Sequence, residues 1–206
     1  MSGLEAAATA LKTAAAQDRK DMLRRRLTEM AQTLPPVFRL PLSPAMEVTG
    51  FVMESCGFFA SKSLPLRLTF SNAQSHGTAV RVMYKTGDDL RQDALVIQLA
   101  SLMNQLWVRA GLNLHMVTYA ITPTSPTSGF VELRDAYTLR EIQTRYGVTG
   151  SFNNRILNEW LQHANPSPEE FAAARANFTA SCAGYCVLTY VLGRCRAIFV
   201  RPSCWH

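Results

Sequence analysis

Between Leu34 and Pro44 the chain reads LPPVFRLPLSP, and no other stretch limits its folding as much. Pro35, Pro36, Pro41 and Pro44 fix φ and remove backbone donors, so the segment is extended and no helix crosses it. Val37, Phe38, Leu40 and Leu42 are apolar, which predicts that the segment lies against a packed surface. A domain boundary is expected here, with 34–46 as an extended linker between an upstream and a downstream domain.

Upstream, Leu4 to Thr33 reads as one helix. Ala is the best helix former, and Leu4, Ala7, Ala8, Leu11, Ala15, Met22, Leu23, Leu27 and Met30 recur near helical spacing. Arg24, Arg25 and Arg26 fall near its expected C-terminal end, where cations favour the helix dipole. A phosphate or lipid contact and an ordinary solvated helix end both fit them.

Downstream the signals alternate. Phe51–Met53, Leu64–Phe70, Val80–Lys85, Met116–Ile121 and Phe130–Leu133 read as strands, with a Pro/Ser/Thr loop at 122–129. Asp88 to Ala110 reads as a long helix closed by Gly111, and Leu95, Leu99, Leu102 and Leu106 form its expected core face. After Arg134 the pattern turns helical, at Thr138–Tyr146, Asn154–His163 and Pro168 to about Leu192. The predicted class is α+β: an antiparallel sheet with a long helix, then a run of helices.

Composition removes other classes. With 48% apolar and 17% charged residues in 206, the chain is no disordered segment, and no apolar run reaches the ~18 residues of a membrane span. The net charge of +6 suits a nucleic acid, a phosphorylated metabolite, an anionic membrane or a plain basic surface. No nucleic-acid motif accompanies it, so no nucleic-acid partner is expected. Five irregularly spaced cysteines form no disulfide framework, and Met1–Gln17 has no signal-peptide pattern, so a cytosolic chain with reduced thiols is expected. Cys182 and Cys186 stand one helical turn apart without a further Cys/His pair, and are expected to be buried core residues.

The chemistry concentrates in Met83-Tyr-Lys-Thr-Gly-Asp-Asp-Leu-Arg-Gln-Asp93. A strand delivers Lys85, a glycine turn comes next, Asp88 and Asp89 suit a helix start, and Asp93 lies one turn further on. Arg81, Met83 and Lys85 share one strand face. A lysine at a strand end beside a carboxylate-bearing helix suits phosphate oxygens; a surface ion pair beside a capped helix fits the same residues.

The string KTGDDLRQD resembles the signature of the phosphoinositide 3-kinase catalytic domain. LPPVFRLPLSP, the turn at Ser61-Lys62, WVRAGLNLHMVTYA, GVTGSF, NEWLQ and SCAGYCVLTYVLG agree with that family in order and spacing, over about Leu34 to Gly193. GVTGSF and NEWLQ followed by NPSPEE are most similar to the class II, C2-domain-containing enzymes. The resemblance implies a two-lobed, protein-kinase-like fold with ATP in the cleft. It makes 1–33 the end of an accessory helical domain, 47–134 the upper lobe and hinge, and 135–193 the start of an incomplete helical lower lobe. Lys85 then resembles the lysine that contacts the ATP α-phosphate, and Asp93 with Tyr119 the pair lining the inner pocket. Glu132 and the backbone of Arg134 resemble the adenine-binding hinge, Ser61 and Lys62 the phosphate loop, and Met83 and Val131 the apolar walls around the base. The family acts on phosphoinositide lipid at a membrane surface, so a cytoplasmic chain with peripheral membrane association is implied.

The sequence departs from the family at its end. There VLG is followed by an Asp-Arg-His-x-x-Asn catalytic loop and an Asp-Phe-Gly magnesium site; here a divergent tail, 194–206, comes after Gly193, and no Asp or Glu occurs after Glu170. The chain is expected to be a C-terminally truncated phosphatidylinositol 3-kinase fragment without magnesium ligands, inactive as it stands. The alternative is a non-catalytic module that binds nucleotide or regulators; the remaining kinase-domain segments are a separate expected partner.

Overall fold

The structure, a computed structural model, describes residues 2–134, 136, 137, 141, 142, 144 and 154–193. The described residues form two compact units: those up to Ile97 with Tyr119–Arg134, and Gln98–Thr118 with those after Arg134.

In the first unit, the expected single N-terminal helix is two, α1 (Ser2–Thr13) and α2 (Arg19–Ala31). Asp18 N–H donates to Ala15 O at 3.0 Å, and Arg19 Nε donates to the Ala14 carbonyl at 3.2 Å, satisfying a helix end. The break folds α2 back along α1, so that a Cβ on Gly3 would lie 3.1 Å from Met30 Sδ. One straight rod would hold Leu4, Ala7, Ala8 and Leu11 far from Leu23 and Leu27, whereas the hairpin buries both sets in one core. Arg24–Arg26 accordingly lie inside α2 and not near a C-terminal end.

The sheet is antiparallel. Its strands are β1 (Phe38–Arg39), β2 (Glu47–Phe51), β3 (Gly57–Phe58), β4 (Leu66–Asn72), β5 (Val80–Thr86), β6 (Ile121–Ser125) and β7 (Ser128–Glu132). Their order is β1-β2-β4-β5-β7-β6, with β3 also on β4. The expected linker thus supplies β1: Leu40 is buried, and the Phe38 ring packs edge-on against Phe70 at 5.9 Å. Strands β2 and β3 flank a 3₁₀ turn at Met53–Ser55, where a strand residue was expected at Met53. Thr69 spans this gap, accepting from Val52 N–H at 2.8 Å and donating its own N–H to Cys56 Sγ at 3.4 Å.

A second correction concerns 116–129. The expected strand at Met116–Ile121 is irregular backbone up to Ala120, and the expected loop at 122–129 is the β6–β7 hairpin. Pro123 disguised it; β6 is an edge strand, the position in a sheet that tolerates a residue without a backbone donor.

The long helix α3 (Arg91–Arg109) ends at Gly111, φ +80°, as expected. Its leucine stripe does not face inward: Leu95, Leu102 and Leu106 are 55%, 52% and 53% exposed, while Ala94 and Ala100 are buried. Both helix faces are apolar, so periodicity could not choose between them; the smaller side chains permit closer backbone approach.

In the second unit, α4 (Asn154–Ala164) and α5 (Pro168–Val191) pack through Ile156, Trp160 and Leu161 against Phe171, Ala174 and Phe178. Ser167 opens α5 with a capping box: its hydroxyl accepts from Glu170 N–H while the Glu170 carboxylate accepts from Ser167 N–H. A separate cluster joins Ala100, Met116 and Leu188. Carbonyls of the irregular segment find side-chain donors there, from Ser181 Oγ to His115 O at 2.7 Å and from Tyr185 Oη to Val117 O. Cys182 is half-buried and Cys186 exposed, not core residues as expected, because α5 turns Gly184 and Leu188 inward instead. Val187, Val191 and Tyr190, the last 88% exposed, leave apolar surface uncovered. GVTGSF, most of the expected Thr138–Tyr146 helix and the tail from Arg194 with Cys195, Cys204 and His206 lie outside the described residues.

Candidate functional site

The site residues read from the sequence all fall in the first unit. Strand β5 alternates: Val82, Tyr84 and Thr86 are buried on one face, and Arg81, Met83 and Lys85 take the other. Val82, Tyr84 and Phe130 belong to the core shared with α1 and α2, which leaves the opposite face for chemistry. Met83 pairs directly with Val131, and Lys85 with Gly129. Two apolar side chains and one ammonium therefore stand in sequence along a single sheet face. Arg67 pairs with Met83 from the other side and adds a second cation to the same row, which the sequence reading missed.

Gly129 explains how the backbone closes up beside Lys85. A Cβ there would stand 2.7 Å from the Thr122 carbonyl oxygen and 2.9 Å from Leu90 Cδ1, so no other residue fits without displacing β6.

Lys85 Nζ lies 3.7 Å from Asp88 Oδ2, a loose pair whose lysine side chain is 26% exposed. Gly87 makes the turn between them at φ +87°. Asp89 is occupied otherwise: it accepts from Arg91 N–H, Nε and Nη2 at 3.0, 2.9 and 2.8 Å, and the guanidinium holds its carboxyl down to about 2.

Asp93 lies in the first turn of α3, and the structure brings it into electrostatic reach of Tyr119. Burial pushes the Tyr119 phenol above its ordinary value, and the Asp93 carboxylate adds to that shift.

Glu132 differs in detail from a residue that simply offers itself to a ligand. Its carboxylate accepts from Ala120 N–H at 2.8 Å and from Arg134 Nε at 2.7 Å, and its own N–H donates to Ala120 O at 2.8 Å. The side chain thus fastens the strand end that carries the expected hinge, and Leu133 N–H ties the same end to Arg81 O at 2.9 Å. Ser61 and Lys62 are exposed at the tip of the β3–β4 hairpin. Their bonds are local, Ser61 N–H to Phe59 O at 2.9 Å and Leu64 N–H to Ser61 O at 3.1 Å. Leu66 pairs with Tyr84, so the hairpin tip hangs from the same sheet end as Lys85.

The residues fit a nucleotide: an apolar wall for a base, then a partly free ammonium for an anion. Among the described residues no three His, Cys, Asp or Glu side chains converge to hold a metal, so no ligand set for magnesium is assigned.

Residues 79–195, more than half of the chain, match the family described as phosphatidylinositol 3- and 4-kinase. Over 188 residues the chain is 45% identical to the phosphatidylinositol 4-phosphate 3-kinase C2 domain-containing subunit beta of Homo sapiens, covering 90% of this chain and 12% of that protein. It is 48% identical over 158 residues to the alpha subunit of Pongo abelii, covering 76% of this chain and 9% of that one. It is 35% identical over 196 residues to phosphatidylinositol 3-kinase 2 of Dictyostelium discoideum, covering 94% and 10%. The chain spans no more than 12% of the length of these three relatives. With its antiparallel sheet, its helices and its Lys85 turn, the chain belongs to the phosphatidylinositol 3- and 4-kinase family, whose pattern its residues 79–195 match.

Proposed function

We propose that residues 47–134 are the nucleotide-binding lobe of a class II phosphatidylinositol 3-kinase, an enzyme that uses ATP to phosphorylate the inositol 3-hydroxyl of a phosphoinositide. On this reading residues 2–33 end an accessory helical domain, and the residues after Arg134 begin the helical lobe. The protein works in the cytoplasm at a phosphoinositide-bearing membrane surface. The observation that carries the reading is the register that sets buried Val131 beside Met83, two residues from Lys85, on the sheet face opposite Val82, Tyr84 and Phe130. Met83 and Val131 give the base an apolar wall, and Lys85 supplies a positive charge to phosphate oxygens. Glu132 holds the hinge strand in place through Ala120 and Arg134. Bound ATP supplies the phosphoryl group.

The 206-residue polypeptide binds nucleotide without transferring phosphate, because no Asp or Glu follows Glu170 to act as base. Loss of a general base alone costs roughly 10²–10⁴ in rate.

Two measurements test this. ATP binding to the purified chain weakens at least about tenfold in Lys85→Met, the worth of one charged hydrogen bond. Absence of binding by the wild-type chain, or unchanged affinity in the variant, overturns the lobe assignment. Transfer of radiolabelled phosphate to phosphoinositide vesicles at family-like rates overturns the inactivity.

A further inference from the structure

We propose that Lys12 is a positioning residue for Lys85, a latch from the N-terminal helix onto the turn that carries the phosphate-contacting lysine. This rests on the nucleotide reading of the sheet face. Lys12 lies in the last turn of α1, and its Nζ donates to the Thr86 carbonyl at 2.9 Å, across 74 residues of sequence. Thr86 stands between Lys85 and Gly87. Gly87 sits at φ +87°, and a Cβ there would lie 3.5 Å from Lys12 Nζ; its N–H donates to Thr127 O at 2.7 Å. Asp88 faces Lys85 at 3.7 Å. The turn is thus tied at three successive residues, by α1, by the β6–β7 hairpin and by its own carboxylate.

Of the three, the Lys12 bond alone comes from outside residues 47–134. Its origin is firm, because Leu4, Ala7, Ala8 and Leu11 seat α1 in the same core as Tyr84, the residue before Lys85. A charged donor bonds a carbonyl more strongly than a neutral one does. Without it the Thr86 carbonyl turns to water, the glycine turn relaxes, and the Lys85 ammonium loses its fixed starting point. Lys12 touches no nucleotide; it acts through the backbone on either side of Thr86.

The test uses the full 206-residue chain with Lys12→Met and Lys12→Arg. Amide hydrogen exchange at Gly87 is read without nucleotide, and ATP affinity is read separately. Lys12→Met speeds Gly87 exchange and weakens ATP binding, each by about tenfold, the worth of one charged hydrogen bond. Lys12→Arg keeps the charged donor and restores both. Unchanged Gly87 exchange in Lys12→Met overturns the latch, whatever happens to ATP. Faster exchange with unchanged affinity overturns the positioning role. A wild-type chain that binds no ATP instead removes the lobe assignment, a failure that the nucleotide-free exchange tells apart from failure of the latch.

Discussion

The two units solve the problem of burying apolar surface differently. In the first, α1, α2 and the sheet share one continuous core, from Leu4 and Leu27 through Leu66, Leu68 and Phe70 to Tyr84 and Phe130. In the second, the buried residues fall into separate clusters, one around Trp160 and one around Leu188, and α5 leaves Val187, Tyr190 and Val191 exposed. A sheet covered by two helices buries one continuous core, whereas the described helices α4 and α5 and the irregular segment after Gly111 bury theirs in separate clusters. The sheet unit is expected to be rigid and self-sufficient, and the helical unit to be compliant.

The largest test of that contrast compares two core truncations. Phe130 is fully buried against Tyr84, with ring centroids 4.9 Å apart, and Phe130→Ala costs about 4 kcal/mol. Leu188 has few buried neighbours, and Leu188→Ala costs about 2 kcal/mol, because the site collapses more readily. Denaturant titration of both variants reads the difference; equal losses would break the contrast.

A pair of glycines sharpens it. The Cβ of Gly129→Ala meets backbone oxygen at 2.7 Å, so β6 must shift, at about 3 kcal/mol. That of Gly184→Ala meets Met116 Sδ at 2.8 Å. A thioether swings aside and Ala gains about 1 kcal/mol of helix propensity, so the net change stays within about 1 kcal/mol. Thermal melts distinguish the two substitutions. A Gly184→Ala loss as large as that of Gly129→Ala would show the helical unit to be as tightly packed as the sheet.

The smallest effect concerns charge at the start of α3. The Asp89 carboxyl is held at about 2 by Arg91, below the ~3.9 of an unperturbed aspartate. A depressed folded value gives stability that is present above pH ~4 and lost as pH falls toward 2. Both partners are fully solvated, so the effect is small and fades in salt. The wild-type melting temperature therefore drops slightly more between pH 5 and pH 2.5 than that of Asp89→Asn. An equal drop would leave Asp89 without a stabilising role.

Legibility followed local strength of signal. The strand at Val80–Lys85, the helix closed by Gly111 and the start of α5 at Pro168 were visible because each carries its own alternation, cap or breaker. Met83, Lys85, Val131, Asp93 and Tyr119 were named as candidates through family resemblance, and the register sets Met83 beside Val131. The break at 14–18 was hidden, since alanine carries helix propensity and no hint of where packing demands a turn. The leucine stripe of α3 misled because two apolar faces compete and only tertiary packing chooses. Lys12 could not have been found, because nothing local links it to Thr86. The use of the Glu132 carboxylate on Ala120 was equally silent, being a contact across a hairpin that the prolines disguised.

The borders of the sheet carry a consequence for assembly. One side ends in the two-residue strands β1 and β3, and the other in β6, where Pro123 offers no donor and the register slips between Pro123 and Ser125. A passing peptide finds no long ladder to extend at either margin. Whatever docks on this unit must therefore meet its faces or its helices, and a family whose members are many times longer can pack other domains around this sheet without strands pairing with the wrong neighbour.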